Sequence, residues 1–70
     1  MISYYKARRK SDGLFKLKGL YKGFTKKGYT WNSRVWAQNS IRTHVQMNGG
    51  NLSDYEIVEY NLRKVAVHDV

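Results

Sequence analysis

Between residues 34 and 48 the apolar positions recur at steps of three and four, the spacing of one face of an α-helix. Trp36, Ala37, Ser40, Ile41, His44, Val45 and Met47 fall on one broad arc of the helical wheel. Gln38, Asn39, Arg42, Thr43 and Gln46 fall on the other. Asn32 or Ser33 offers an N-cap oxygen for an orphan amide of the first turn, and Gly49-Gly50 ends the run as glycine does at a helix C-terminus. Outside this window the pattern is that of strands. Residues 55–62, Y-E-I-V-E-Y-N-L, are dense in β-branched and aromatic side chains and form the clearest one. Val65-Ala66-Val67 either extends it or makes a separate short piece. Towards the N-terminus, Ser11-Asp12-Gly13 is a turn signal between two extended runs, which predicts a hairpin at about residues 2–9 and 14–21. The adjacent pair Leu14 and Phe15 breaks the alternation and leaves its register open. Gly19 and Gly23 read as bulges or bends, Lys26-Lys27-Gly28 as a second turn, and Tyr29-Thr30-Trp31 as a short strand or an extended lead into the helix. The order is β-β-(β)-α-β. It predicts an α+β fold, a three- or four-stranded antiparallel sheet with one α-helix packed on one face.

Size limits what such a fold can do. Seventy residues make a single domain spanning 1–70, with a basic hairpin region over 1–31, a helix at about 34–48 and a C-terminal strand at about 55–62. A chain of this length buries only about 60% of the surface its unfolded form exposes. Its radius of gyration should be roughly 11 Å, too small for a deep cleft, which argues against an enzyme. There is no cysteine, so a disulfide, a thiolate nucleophile and a cysteine zinc site are all ruled out. A small secreted domain would usually carry bridges, and no apolar run approaches the roughly 18 residues of a membrane span. A cytoplasmic protein without a cofactor is the expectation.

Charge sharpens the picture more by its distribution than by its total. The formal net charge is +8, but residues 1–34 alone hold ten Lys or Arg against Asp12, an excess of +9. Residues 35–70 hold Arg42, Arg63 and Lys64 against Asp54, Glu56, Glu59 and Asp69, or −1. Folded into one domain, such a chain presents one strongly positive surface that attracts polyanions or an acidic protein. The stretch K-L-K-G-L-Y-K-G-F-T-K-K-G-Y-T-W at 16–31 mixes lysine, glycine and aromatic residues with no acid. Lysine and arginine bind phosphates by releasing counterions, and exposed aromatic rings stack on unpaired bases. The candidate nucleic-acid contacts are therefore Arg8, Arg9, Lys10, Lys16, Lys18, Lys22, Lys26, Lys27 and Arg34 for charge. Tyr21, Phe24 and Tyr29 are the candidates for stacking, while Phe15, Trp31 and Tyr60 are assigned to the core. The competing explanation is that edge-strand lysines only prevent sheet-to-sheet association. Edge protection rarely requires so large an excess confined to half a chain. DNA and RNA are not distinguished.

Catalytic and metal constellations do not assemble. His44 and His68 are the only histidines, and His44 is expected as a polar filler hydrogen-bonded to sheet backbone. Glu56 and Glu59 are three apart on a strand, so their side chains leave opposite faces. Ser40 precedes His44 by one turn, but no third group orients the pair. Gly19, Gly23 and Gly28 lack the lysine-serine/threonine ending of a phosphate loop.

Three segments, W-N-S at 31–33, A-Q-N-S-I-R-T-H at 37–44 and D-Y-E-I-V-E-Y at 54–60, resemble a group of small accessory proteins encoded by tailed bacteriophages. The likeness spans about residues 13–62. Trp36 departs from it where a small or aliphatic residue is the rule, and the hairpin here is heavier in lysine. The group is largely without assigned activity, so the resemblance implies a phage protein acting on host machinery and little more. Two partner classes follow: nucleic acid, bound largely without sequence preference, or a host protein complex such as a defence nuclease or the transcription machinery, bound by an inhibitor.

Overall fold

The computed structural model describes residues 3–18, 23–61 and 63–70. Five strands form one antiparallel sheet: β1 (Tyr4–Arg9), β2 (Phe15–Lys16), β3 (Phe24–Thr25), β4 (Tyr55–Tyr60) and β5 (Lys64–Asp69). Their spatial order is β3-β2-β1-β4-β5, and one helix, α1 (Arg34–Asn48), joins β3 to β4 across one face. A short 3-10 turn, Leu52–Asp54, leads from the helix into β4. The radius of gyration is 11.0 Å. The α+β architecture is the one the sequence implies, with more strands. The chain reverses after β4, where the Asn61 N–H donates to the Arg63 carbonyl, so 64–69 returns as a strand of its own.

Both predicted turns form, each around a glycine with positive φ. At the first, Gly13 has φ 72°, and an Asp12 carboxylate oxygen accepts from the Leu14 N–H at 3.1 Å. At the second, Gly28 has φ 67°, and its N–H donates to the Thr25 hydroxyl at 2.8 Å. A Cβ on Gly28 would overlap that of Phe15, so the position is closed to side chains twice over. The expected long hairpin is nonetheless cut short. Among the described residues β1 and β2 pair at Arg8 and Phe15 alone, and Trp31 takes over the same edge of β1 further along. There the Tyr5 N–H donates to the Trp31 carbonyl at 2.7 Å, and the Trp31 N–H donates back at 2.8 Å. Gly23 lies ahead of β3, its carbonyl accepting from Leu17, and the register irregularity is instead at Glu59/Tyr60 between β4 and β5.

Side chains alternate across the sheet, and the register fixes which share a face. Ala7 lies opposite Ile57, Arg9 opposite Tyr55, and Lys16 opposite Phe24. These meet the helix, where Ala7, Ala37, Ile41, Tyr55 and Ile57 make the buried core, with Tyr5, Phe24, Trp31, Val45 and Val70 packed around it. The outer face carries Tyr4, Lys6, Arg8, Phe15, Glu56, Val58, Tyr60 and Val67. No second layer covers it among the described residues, yet Val58, between Lys6 and Val67, is fully buried.

The helix is rotated from its expected setting. Its contact stripe centres on buried Ala37 and Ile41, whereas Trp36 and Met47 are exposed. Trp36 sits about 140° round the axis from Ile41, at 100° per residue, outside the arc a flat sheet can cover. Gln38, expected outside, is half-buried and donates to the Asp69 carbonyl at 3.2 Å. Ser33 occupies the N-cap position without a side-chain capping bond, and Gly49 closes the helix with its N–H on the Val45 carbonyl at 2.7 Å.

Candidate nucleic-acid interface

The arginines of the basic half are largely consumed by the fold. Arg8 forms an ion pair with Glu56, its Nε donating to Oε2 at 2.6 Å. Arg9 clasps Asp12 through Nε and Nη2 at 2.6–3.1 Å, and its guanidinium lies 4.3 Å from the centre of the Phe24 ring. That hydrogen bond raises the Arg9 pKa and lowers that of Asp12. Arg34 is exposed at the start of α1, beside β5, with Nη1 3.2 Å from His68 Nδ1. His68 Nε2 meets Glu59 Oε1 at 2.7 Å, and the Ser3 hydroxyl donates to Glu59 Oε2 at 2.8 Å. These bonds hold the Glu59 carboxyl below its ordinary range, the His68 contact contributing most. The chain Ser3–Glu59–His68–Arg34 ties β4, β5 and α1 together. Its serine donates to the acid rather than to the histidine, which is not the serine–histidine–acid order of a hydrolase triad. No metal-ligating group of three or more forms among the described residues.

The lysines behave differently. Lys6, Lys10, Lys18, Lys26, Lys27 and Lys64 have no carboxylate partner among the described residues, where Arg8 and Arg9 form ion pairs and His68 meets Glu59. Lys6 and the Lys26–Lys27 turn meet on one side of the sheet. Lys6 Nζ donates to the Lys27 carbonyl at 2.8 Å and lies 5.2 Å from the Phe15 ring centre and 5.7 Å from that of Tyr60. Lys18 is exposed, its Nζ 5.4 Å from the Tyr29 ring centre. Lys10 is exposed at the opposite end of β1, its N–H held by the Asp54 carbonyl at 2.9 Å.

Several site assignments change. Lys16 is not a surface contact: it is 2% exposed on the helix side of the sheet, its Nζ donates to the Leu17 carbonyl at 3.2 Å, and burial lowers its pKa. Alternation explains this, since pairing of Phe15 with Arg8 turns Phe15 outward and Lys16 inward. Phe15 and Tyr60 therefore leave the core for the outer face, half-buried. Phe24 goes the other way, stacked 5.9 Å from Tyr55 and edge-on 5.3 Å from His44. His44 meets both of those rings edge-on and has Asn48 rather than sheet backbone beside its Nδ1, and burial first, then Lys16 and Arg9, lowers its pKa. Tyr29 is half-buried against Trp31, with ring centres 4.8 Å apart. Tyr21 and Lys22 lie outside the described residues. Arg34 stands with β5, away from the lysine cluster. Lys6 and Trp36 were not among the expected site residues. The charge of Lys6 was visible, but its placement depends on a cross-strand register that the local sequence does not encode.

A groove of about 230 Å³ runs between α1 and β2, lined by Lys16, Lys18, Trp31, Trp36, Asn39, Ser40 and Thr43. Among the described residues no helix is long and apolar enough to cross a membrane. Compared with known protein families, curated proteins and solved structures, the chain matches none.

Proposed function

We propose that this protein binds nucleic acid through its phosphates, largely without sequence preference, using the lysines at the β2–β3 end of the sheet. The observation that carries this reading is the division of labour among the charges. Asp12, Glu56 and Glu59 are matched to Arg9, Arg8 and His68, which leaves Lys6, Lys18, Lys26 and Lys27 without carboxylate partners. Ammonium groups without a carboxylate partner can exchange solvent counterions for phosphates, the main source of affinity in non-specific binding. By the phage resemblance, such a protein would work in the cytoplasm of a bacterial host.

The test is the double variant Lys26→Gln/Lys27→Gln, both positions being exposed turn residues. Fluorescence anisotropy with a labelled oligonucleotide over a salt series should give weaker binding. The log–log salt slope should be reduced by about 1–2, since each lost phosphate contact removes about 0.7–0.9. An unchanged affinity and slope in a folded variant would remove this turn from the interface. Pull-down from bacterial lysate with and without nuclease decides the partner class. One stoichiometric protein surviving nuclease and added salt would favour a protein-binding inhibitor and overturn the nucleic-acid reading.

A further inference from the structure

We infer that the groove between α1 and β2 is a seat for a single unpaired nucleobase, with Lys18 on its phosphate, and that the protein therefore prefers single strands to duplexes. This rests on the nucleic-acid reading above and specifies the form of its ligand. Both tryptophans of the chain line the groove. Trp31 is pinned by its two backbone bonds to Tyr5 and braced by Tyr29. Trp36 stands on the first turns of α1, 66% exposed, where packing against the sheet does not account for it. Trp36, Asn39, Ser40 and Thr43 follow the i, i+3, i+4, i+7 spacing of one helix stripe. This stripe would ordinarily meet a neighbour, and here it borders the groove instead. An indole platform beside an amide and two hydroxyls suits a base, which has a π face and a hydrogen-bonding edge.

Charge argues for the same occupant. Lysines 16 and 18 contribute to the lining, and no carboxylate does among the described residues. Lys16 lies within the wall, while Lys18 is exposed beside Tyr29 at the rim, where a phosphate attached to the seated base would pass. At about 230 Å³ the space falls below the roughly 300 Å³ at which drug-sized pockets begin, and matches one ring system rather than a base pair. A base stacked inside a duplex cannot reach it without being extruded.

The two indoles report on the groove directly through their fluorescence. Titration with a ten-residue oligothymidine should quench the tryptophan emission, and a duplex of equal length should quench it less and bind more weakly. Trp36→Ala should lower affinity for the single strand about tenfold, within the range of one lost base stack, and leave duplex affinity unchanged. Trp36→Phe should restore much of the loss. Lys26→Gln/Lys27→Gln should weaken both strands alike. If both strands bind equally and Trp36→Ala changes neither, the base seat is wrong while phosphate binding stands. If neither strand binds wild-type protein, both readings fall. The exposure of Trp36 makes the alanine variant safe for the fold, and circular dichroism checks this.

Discussion

Lys16 shows how one position can look like one thing in sequence and be another in space. Among its neighbours it reads as one more surface lysine, yet its aliphatic stem fills the space between β2 and α1 while the ammonium reaches the Leu17 carbonyl. Lys16→Ala should therefore cost about 2 kcal/mol, as loss of a buried stem does, whereas Lys26→Ala should stay within about 0.5 kcal/mol of wild type. Urea denaturation midpoints of the two variants compare them directly, and equal midpoints would refute the burial of Lys16. His44 carries a second consequence. Its lowered folded pKa means the native state holds the ring neutral, so the unfolded chain takes up the proton first as pH falls. Stability is retained above the ordinary histidine value, about 6.5, and declines as pH drops through it towards the lower folded value. Denaturation curves at about pH 7.5 and pH 5.5 should show this decline, and His44→Phe, which keeps the contacts with Phe24 and Tyr55, should flatten it. An identical pH slope in the variant would mean that His44 titrates without cost.

At the level of elements, the helix is where local pattern and tertiary contact part company. Its limits were legible: the Gly49-Gly50 pair marks an end that backbone chemistry enforces locally, and Ser33 stands at the start, though without the expected capping bond. Its orientation was not, since Trp36 and Met47 widen the apolar arc and only the sheet decides which part is used. Strand β4 and both glycine turns were legible for the same local reason. The shortness of β2 was not, for the competition between Phe15 and Trp31 for the edge of β1 is a long-range event. That competition also decided the fate of the site, turning Lys16 inward and bringing Lys6 beside the Lys26–Lys27 turn. Of the expected contacts, Lys10, Lys18, Lys26 and Lys27 are exposed because nothing local opposes their solvation. Arg8 and Arg9 are each held by an acid, and Arg34 stands beside His68. The rotated helix makes its own prediction: Ile41→Asp should abolish the cooperative unfolding transition, since it buries a carboxylate in the centre of the core. A folded, soluble Ile41→Asp protein by circular dichroism would mean that the stripe lies elsewhere.

Over the whole molecule, the strand order converts the polarity of the chain into a gradient across the sheet. Strands β3 and β2, flanked by the exposed Lys18, Lys26 and Lys27, occupy one end, and β4 and β5, with Glu56, Glu59 and Asp69, the other. Under the proposed function, a polyanion would be drawn towards one end of the protein, with the other facing away. The two ends also differ as edges. β3 is two residues long and is followed at once by Lys26 and Lys27, which leaves little backbone for another strand to join. β5 is six residues long, has Val65 and Val67 exposed, and pairs only with β4 among the described residues. Among the described residues β5 is accordingly the edge with room for another strand. Two copies meeting edge to edge through β5 would consume both of these edges and set the cationic ends far apart. Strand addition through β5 alone would end at such a pair.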